Sequence, residues 1–443
     1  MIETGAIHVC VGMKPTGRLT LSLTNTRTAA PARLLCAPEN RGKARRLVTL
    51  LFGLCPIAQL VAFDEARAAA LGVPGPVVRT GRLAELGVVL EAIVETIRVL
   101  VADAARMTGL QHAPEAGRAI GRMRVELGRI VEVLLSADPS GDAALFTSPA
   151  HQRRVDAGFR SAETLLEEAL AVARSAVYGE APERFDLERN TCASLEAWAR
   201  SRAAAEKPLA AAALFSQMLE KGKGACEIEI PFLPVRTEKT TNAFAEELLN
   251  RMLVETDFEL SPFWQGTPRL TGTLSRMRSA HPAVETLLAE NGISPVSLLG
   301  SRLLELAIAL RHAKRLLATR GEAPSRAYAD SIVWHFAEEE SGAKRREAIS
   351  LVETARGLLA HAVRLDESGE VATLRITSPT EWQFAPYGAG QRILLALVKR
   401  CYNDAPPASR CRLEAQVRRV LFGLDPCVPI EFAYTGRAQQ IPV

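Results

Sequence analysis

Apolar residues recur at helical spacing over most of this chain. The clearest example lies between Gly81 and Met107, where apolar side chains return every three or four residues. That spacing predicts a long helix with one broad buried face. Similar amphipathic patterns predict helices near residues 115–136, 159–177, 190–220, 240–255, 296–319, 325–339 and 409–422. We therefore expect a mainly α-helical (α+β) protein.

Alternation of polar and apolar residues, typical of β-strands, is concentrated in two regions. Within residues 1–45, the stretches IHVCVGM and RLTLSLTNTR lie on either side of Gly17 and predict a β-hairpin. Residues 361–376 (HAVRLDESGEVATLRI) alternate around the turn from Asp366 to Gly369, which predicts a second hairpin. The strands are therefore expected at the periphery of a helical body.

Length and composition favour one large domain. The chain has 443 residues, of which 48% are hydrophobic, and it contains no polar stretch rich in Pro or Gly that could act as a flexible linker. We expect a single domain over 1–443, with an N-terminal hairpin region at 1–45, a helical body at 46–360 and a C-terminal hairpin, helix and turn at 361–443. With 54 basic and 50 acidic residues, the net charge of +4 is too small to predict nucleic-acid binding.

The compartment is predicted from the N-terminus, the cysteines and the apolar runs. The N-terminus has no basic-then-apolar export signal, and the eight cysteines form no CxxC pair or dense disulfide pattern. The longest apolar run, from Leu47 to Phe63, is interrupted by Gly53, Pro56 and Gln59, so a buried turn is favoured over a membrane span. A cytoplasmic protein without a membrane span is expected.

The usual signatures of catalysis are missing from the sequence. The seven histidines form no HExxH pair, and no GxSxG motif is present. A histidine-based zinc site and a conventional serine hydrolase are therefore unsupported. Conventional catalysis is thus poorly supported by the sequence.

Four separate segments instead carry residues that could hold a metal group. The stretch LFGLCPIAQ contains Cys55, and LDPCVPI contains Cys427 near the C-terminus. Between them, ETARG contains Arg356 and SPTEW contains Thr380. Taken singly, each residue has a simpler explanation: a cysteine in the core, an Arg356–Glu353 pair on a helix turn, and a threonine that caps a local turn.

Together, these segments resemble the large subunit of nickel-iron hydrogenases. That family holds its metal centre with an N-terminal CGxC and a C-terminal DPCxxC motif, and it carries a PRG arginine and a PT or PS hydroxyl between them. The order along this chain is the same. The stretches from Pro268 to Arg276 and from Gly17 to Leu19 are also similar to family segments. The resemblance covers nearly the whole chain and implies the helical large-subunit fold with peripheral β-hairpins.

Several metal-binding positions of that family are changed here. Phe52 stands at the position of one N-terminal cysteine and Ile430 at that of one C-terminal cysteine, and both are expected to keep the vacated positions dry. Gln59 and Ala433 replace two family histidines, and Thr16 replaces an acid. One cysteine of each pair remains. This pattern resembles the hydrogenase accessory proteins of the HupK/HoxV type, large-subunit look-alikes thought to act as scaffolds during assembly of the metal centre.

The resemblance implies a transient iron site. Low-spin iron(II) carried as Fe(CN)2CO accepts thiolate ligands, which Cys55 and Cys427 could supply, and no nickel is expected. Arg356 is expected to donate hydrogen bonds to an iron-bound cyanide, because a guanidinium keeps its charge and offers several fixed N–H groups. Thr380 is expected to donate the other hydrogen bond.

The resemblance also implies partners. A HypC-type maturation chaperone or HypCD-type complex is the expected donor of the iron group, and the precursor of the hydrogenase large subunit is the expected acceptor. Two alternatives stay open. One is a metal-free large-subunit-like chaperone or docking module for hydrogenase assembly, and the other is a true hydrogenase with altered ligands, which would require nickel.

Overall fold

The computed structural model describes residues 5–13, 19–111, 114–137, 142–222, 230–233, 238–320, 333–337, 346–403 and 410–435. Thr16 and Gly17 lie outside these ranges, as does most of the predicted helix at 325–339. The predictions made for those positions are therefore not addressed by the structure.

Helices make up most of the described chain, as the apolar periodicity predicts. In the first half they are α1 (Ala30–Cys36), α2 (Ala44–Leu51), α3 (Pro56–Leu71), α4 (Pro76–Arg79), α5 (Leu83–Arg98), α6 (Ala104–Thr108), α7 (Pro114–Ser136), α8 (Ala143–Phe146), α9 (Pro149–Val172), α10 (Pro182–Glu188), α11 (Cys192–Ala203) and α12 (Ala210–Gly222). In the second half they are α13 (Glu238–Val254), α14 (Thr273–Met277), α15 (Pro282–Asn291), α16 (Pro295–Ala318), α17 (Pro379–Phe384), α18 (Ala389–Asn403) and α19 (Arg410–Leu424).

Shorter helical segments extend or join these helices. Two are π-helical, at Val99–Asp103 and Ala173–Tyr178, and two are 3-10 turns, at Pro38–Lys43 and Phe258–Leu260. The π-helical segment Val99–Asp103 joins α5 to α6. The helical stretch predicted between Gly81 and Met107 is therefore continuous, but it changes from α-helix to π-helix and back.

The described strands form two small sheets. They are β1 (Ile7–Met13), β2 (Leu19–Asn25), β3 (Val333–Ala337), β4 (Glu347–Thr354), β5 (Gly357–Leu365), β6 (Val371–Thr377) and β7 (Ile430–Thr435). The first sheet has the order β2-β1-β7, with β1 and β2 antiparallel and β7 parallel to β1. The second sheet has the antiparallel order β3-β4-β5-β6.

Both predicted hairpins are present, but each belongs to a larger sheet than expected. The C-terminal strand β7 joins the N-terminal hairpin, and β3 and β4 extend the hairpin made by β5 and β6. The part of the predicted helix 325–339 that is described is strand β3, so that prediction is wrong there. The sequence pattern does not predict β4. Its residues Ala348 to Val352 are consecutively buried and therefore lack the polar–apolar alternation of a half-exposed strand.

The core is built around two helices that are buried on most sides. The apolar residues of α5 include Leu83, Leu86 and Leu90, none of which is exposed. Helix α3 packs against α5 on one side and against β4 and β5 on another. This packing brings the start of α3 next to the turn between β4 and β5. None of the helices among the described residues is long and apolar enough to cross a membrane.

Candidate metal-binding site

Cys55 occupies the N-cap position of α3, immediately before Pro56. Its half-buried side chain places Sγ 3.8 Å from Nε2 of Gln59, one turn along the helix. Burial raises the pKa of the Cys55 thiol to about 12, and the nearby Glu91 carboxyl and Cys427 sulfur act in the same direction. The thiol is therefore protonated at neutral pH, and a bound metal would have to displace that proton.

Cys427 lies between α19 and β7 and is held more firmly than Cys55. Its Sγ is 2.6 Å from Nη1 of Arg27 and 3.0 Å from Oγ1 of Thr380. The backbone N–H of Cys427 donates to the same Thr380 oxygen at 3.2 Å, which leaves the hydroxyl proton of Thr380 free to point at the sulfur. Strand β7 begins three residues later and pairs with β1, so the segment that carries Cys427 is anchored on both sides.

The two cysteines line one cavity of about 360 Å³. They come from opposite ends of the sequence, and the fold brings them together as the sequence motifs predict. The other polar residues in its wall are Arg27, Gln59, Thr354, Arg356 and Ser378. The apolar part of the wall includes Pro31, Leu51, Phe52, Leu54, Leu359 and Val428.

The two apolar replacements predicted to dry the site differ in position. Phe52 lines the cavity. Ile430 is the first residue of β7 and is paired with Ile7, away from the cavity wall. The vacated position at Phe52 therefore contributes apolar surface to the cavity, whereas Ile430 contributes to the sheet.

Arg356 projects from the tight turn between β4 and β5. The turn needs the next residue to be a glycine, because Gly357 has a φ of 132° and an added Cβ would lie 2.6 Å from Oγ1 of Thr271. The Arg356 side chain is buried, with Nη2 3.2 Å from Oε2 of Glu95 and Nε 3.2 Å from Oδ2 of Asp425. Its third nitrogen, Nη1, takes part in neither ion pair.

Charges around Arg356 keep it cationic. Burial alone would lower its pKa, but the carboxylates of Asp425 and Glu95 outweigh burial and hold the pKa above the usual arginine range. The simpler explanation by a helix-turn pair with Glu353 is wrong. The segment is a β-turn, and Glu353 instead pairs with Nη1 of Arg276 at 2.6 Å.

Thr380 is buried in the first turn of α17 and is absent from the residues that line the cavity. Its hydroxyl contacts the sulfur and the backbone N–H of Cys427 instead. Two other hydroxyl residues line the cavity, Thr354 and Ser378. Oγ of Ser378 accepts a hydrogen bond from Nη1 of Arg27 at 3.4 Å and donates one to Glu381 at 2.5 Å. Thr380 thus acts on the site through Cys427.

Sequence reasoning missed Arg27. It follows β2, lines the cavity, contacts Cys427 and places Nε 2.9 Å from Oε1 of the buried Glu381. Burial would lower its pKa, but Glu381 and the two cysteine sulfurs together hold the pKa above the usual arginine range. No local motif marks this residue, because its partners Ser378, Glu381 and Cys427 all lie more than three hundred residues further along the chain.

Gln59 links the cavity to a buried histidine. Its Oε1 is 2.7 Å from Nε2 of His361, which is fully buried in β5. Burial lowers the pKa of His361 to about 3, so the imidazole is neutral and its Nε2–H donates to Gln59. With its oxygen engaged in this way, Gln59 turns its amide N–H2 toward Cys55.

A second group of potential ligands lies away from this cavity. Cys192, Glu196 and Glu290 place their ligand atoms within 4.8 Å of one another. Burial raises the pKa of Cys192 to about 12, and the side chain of Asn291 lies 3.8 Å from its sulfur. Cys192 is thus remote from the predicted site but not isolated from other metal-ligating groups.

Solved structures identify the class of fold. The chain matches the Ni-Fe-Se hydrogenase from Desulfomicrobium baculatum with a TM-score of 0.53 and 14% identity, covering 94% of this chain and 95% of the other. It matches the Ni-Fe-Se hydrogenase from D. vulgaris Hildenborough with a TM-score of 0.50 and 15% identity, covering 94% of each chain. The protein therefore has the fold of a hydrogenase large subunit, as the resemblance implies.

Curated relatives are more specific. The chain is 27% identical over 222 residues to the hydrogenase expression/formation protein HoxV of Cupriavidus necator, covering 49% of this chain and 51% of HoxV. It is 34% identical over 91 residues to HupK of Azotobacter vinelandii and 36% identical over 85 residues to HupV of Azotobacter chroococcum, both also named hydrogenase expression/formation proteins. These two alignments cover 20% and 19% of this chain. No protein-family model matches the chain.

The curated homologues of this chain are thus hydrogenase expression/formation proteins of the HoxV, HupK and HupV kind, which confirms the predicted resemblance. The alignments span about half of HoxV, 24% of HupK and 22% of HupV. These names support a role in hydrogenase maturation.

Proposed function

We propose that this protein is a non-catalytic scaffold in the maturation of nickel-iron hydrogenase. It transiently binds iron as Fe(CN)2CO through the thiolates of Cys55 and Cys427, and then releases the group to the hydrogenase large subunit. A HypC-type chaperone or HypCD-type complex supplies the iron group, and the exchange takes place in the cytoplasm.

The observation that carries this proposal is the convergence of Cys55 and Cys427 on one cavity. Thiolates are suitable ligands for low-spin iron(II), and two of them leave the metal more exchangeable than four would. The cavity volume of about 360 Å³ is much larger than a bare metal ion, so space remains for the diatomic ligands. Phe52 and its apolar neighbours limit the water that would compete for the iron.

The position of Arg356 favours an iron group that carries cyanide ligands. Its guanidinium lines the cavity while two carboxylates hold it from other directions, so its position is fixed before any group binds. A fixed cationic donor is complementary to the negative nitrogen of an iron-bound cyanide. Thr380 contributes by orienting the sulfur of Cys427.

Infrared spectroscopy tests this proposal directly. The protein would be purified anaerobically from cells that express the hydrogenase maturation proteins, and its cyanide and carbonyl stretching bands would be recorded together with iron and nickel contents. We expect both bands, with iron and without nickel. Cys55→Ser and Cys427→Ser should each lower the bound iron sharply.

Two cysteine variants serve as controls. Cys192→Ser should keep its iron, and Cys36→Ser provides a second control because Cys36 is not among the residues that line the cavity and is not grouped with Glu196 and Glu290. Equal iron in all four variants would contradict the proposed site. Folded protein that copurifies with hydrogenase subunits but shows neither band would favour the metal-free chaperone or docking module.

A further inference from the structure

Arg27 lies beside Cys427 in the cavity, although it is not part of the sequence motif of either cysteine. Its Nη1 lies 2.6 Å from Sγ of Cys427 and 3.4 Å from Oγ of Ser378, both of which line the cavity. Its Nε is held 2.9 Å from Glu381, and the side chains of Arg27 and Glu381 are only 14% and 3% exposed. The guanidinium is therefore fixed, with one edge on the carboxylate and another on the sulfur.

The charges that face the cavity are positive. Among the described residues, the charged side chains in its wall are those of Arg27 and Arg356. Their carboxylate partners, Glu381 for Arg27 and Glu95 and Asp425 for Arg356, are not part of the wall. A group bound in the cavity would therefore contact the guanidinium groups, and the carboxylates would lie farther from it.

The two guanidinium groups disfavour the divalent metal ions that a pair of cysteines alone would bind. Two thiolates attract Zn²⁺, and divalent ions such as Ni²⁺ and Zn²⁺ generally bind such ligands more tightly than Fe²⁺. A bare dication beside two buried guanidinium groups is repelled, because charge–charge interactions are strong where water is excluded. An iron ion that already carries cyanides presents negative nitrogen atoms to the same groups and is attracted.

We propose that Arg27 is a specificity-determining residue that excludes bare divalent cations, Zn²⁺ and Ni²⁺ above all, from the Cys55–Cys427 pair. This inference rests on the proposed function, for which it supplies a means of keeping the thiols free for an iron group with anionic ligands. Specificity of this kind comes from a repulsive element as much as from an attractive one.

Zinc binding by the metal-free full-length protein tests the inference without any iron group. The affinity for Zn²⁺ would be measured anaerobically at constant pH by competition with a chromophoric chelator. The main variant is Arg27→Gln combined with Glu381→Gln, which removes both buried charges and keeps amides that can hydrogen bond. We expect this double variant to bind Zn²⁺ at least tenfold more tightly than the wild type.

Three controls sharpen the comparison. Arg27→Lys keeps the positive charge that repels a dication, so its zinc affinity should stay within about threefold of the wild type. Arg375→Met breaks a similar pair with the buried Glu259 outside the cavity and should not change zinc affinity. Adding Cys427→Ser to the double variant should abolish the gain, which separates this site from zinc bound at Cys192.

The possible results are distinct. Wild-type and double-variant proteins with the same zinc affinity would overturn the inference, as would an Arg27→Lys protein that binds zinc as tightly as the double variant. Failure of the scaffold proposal would appear elsewhere, as missing cyanide and carbonyl bands in protein purified with the maturation machinery. Circular dichroism and thermal unfolding of every variant confirm that the compared proteins are folded.

Discussion

Replacement of His361 by Gln is expected to remove a specific acid sensitivity of the fold. His361 is completely buried in β5, and Nε2 donates to Gln59 at 2.7 Å. Burial lowers its pKa to about 3 from the ordinary value of 6.5. The unfolded chain therefore takes up a proton on this residue well before the folded protein does, and unfolding becomes more favourable as the pH falls.

The magnitude follows from these two values. Because the pKa in the folded protein lies below that in the unfolded chain, stability is lost as the pH falls through 6.5, and the loss grows until the pH reaches about 3. At pH 5 the unfolded imidazole is already protonated, and a difference of about 1.5 pKa units at about 1.4 kcal/mol each gives about 2 kcal/mol. At pH 7.5 the contribution is close to zero.

Urea unfolding at pH 7.5 and at pH 5.0 measures this effect. Wild-type protein should lose about 2 kcal/mol more than His361→Gln between the two pH values, since only the wild type can protonate this position. His8→Gln, which replaces an imidazole that is 42% exposed, controls for the loss of a histidine in general. The reasoning is refuted if His361→Gln and the wild type lose the same free energy of unfolding on acidification.

Two further predictions concern the residues around the cavity. Arg356→Met should lower the free energy of unfolding by about 2 kcal/mol, because Glu95 and Asp425 each lose one buried cationic partner but keep Arg98 and Arg302 respectively, and urea unfolding at pH 7.5 would measure it. Thr380→Val should cost about 1–2 kcal/mol by leaving the backbone N–H of Cys427 without its acceptor, whereas Thr380→Ser should be close to wild type. Equal losses for Val and Ser at Thr380 would contradict the hydrogen-bond explanation.

The helical body and the thiol pair could be predicted because each leaves a local signal. Helical periodicity identified α5 and α16 from single stretches of sequence, and the turn from Asp366 to Gly369 marked the hairpin of β5 and β6. Cys55 and Cys427 were identified because their flanking residues match motifs of a known fold. Local pattern and motif order therefore suffice for these features.

The remaining features depend on contacts between distant segments. β7 pairs with β1 although almost the whole chain separates them, and no periodicity indicates that a C-terminal strand will join an N-terminal hairpin. Arg27 reaches the cavity only because the end of β2, the start of α17 and the loop before β7 meet there. Thr380 supplies the hydroxyl that the motif predicts. The contact between these segments places that hydroxyl against Cys427.

The unequal environments of the two cysteines predict unequal effects of their removal. Sγ of Cys427 has two close partners, Arg27 and Thr380, and lies in a segment anchored by β7. Among the described residues, Sγ of Cys55 has one hydrogen-bonding partner, the amide of Gln59 at 3.8 Å. Burial raises the pKa of Cys55 to about 12, so its proton must be lost before it can bind a metal.

Cys427 should therefore be the persistent attachment point and Cys55 the one that opens during transfer. Protein carrying Cys55→Ser should retain a larger share of its iron after anaerobic gel filtration than protein carrying Cys427→Ser, although both should retain less than the wild type. The opposite order, or identical losses in the two variants, would show that the positioning of the sulfurs in the empty protein does not determine how firmly each holds the iron group.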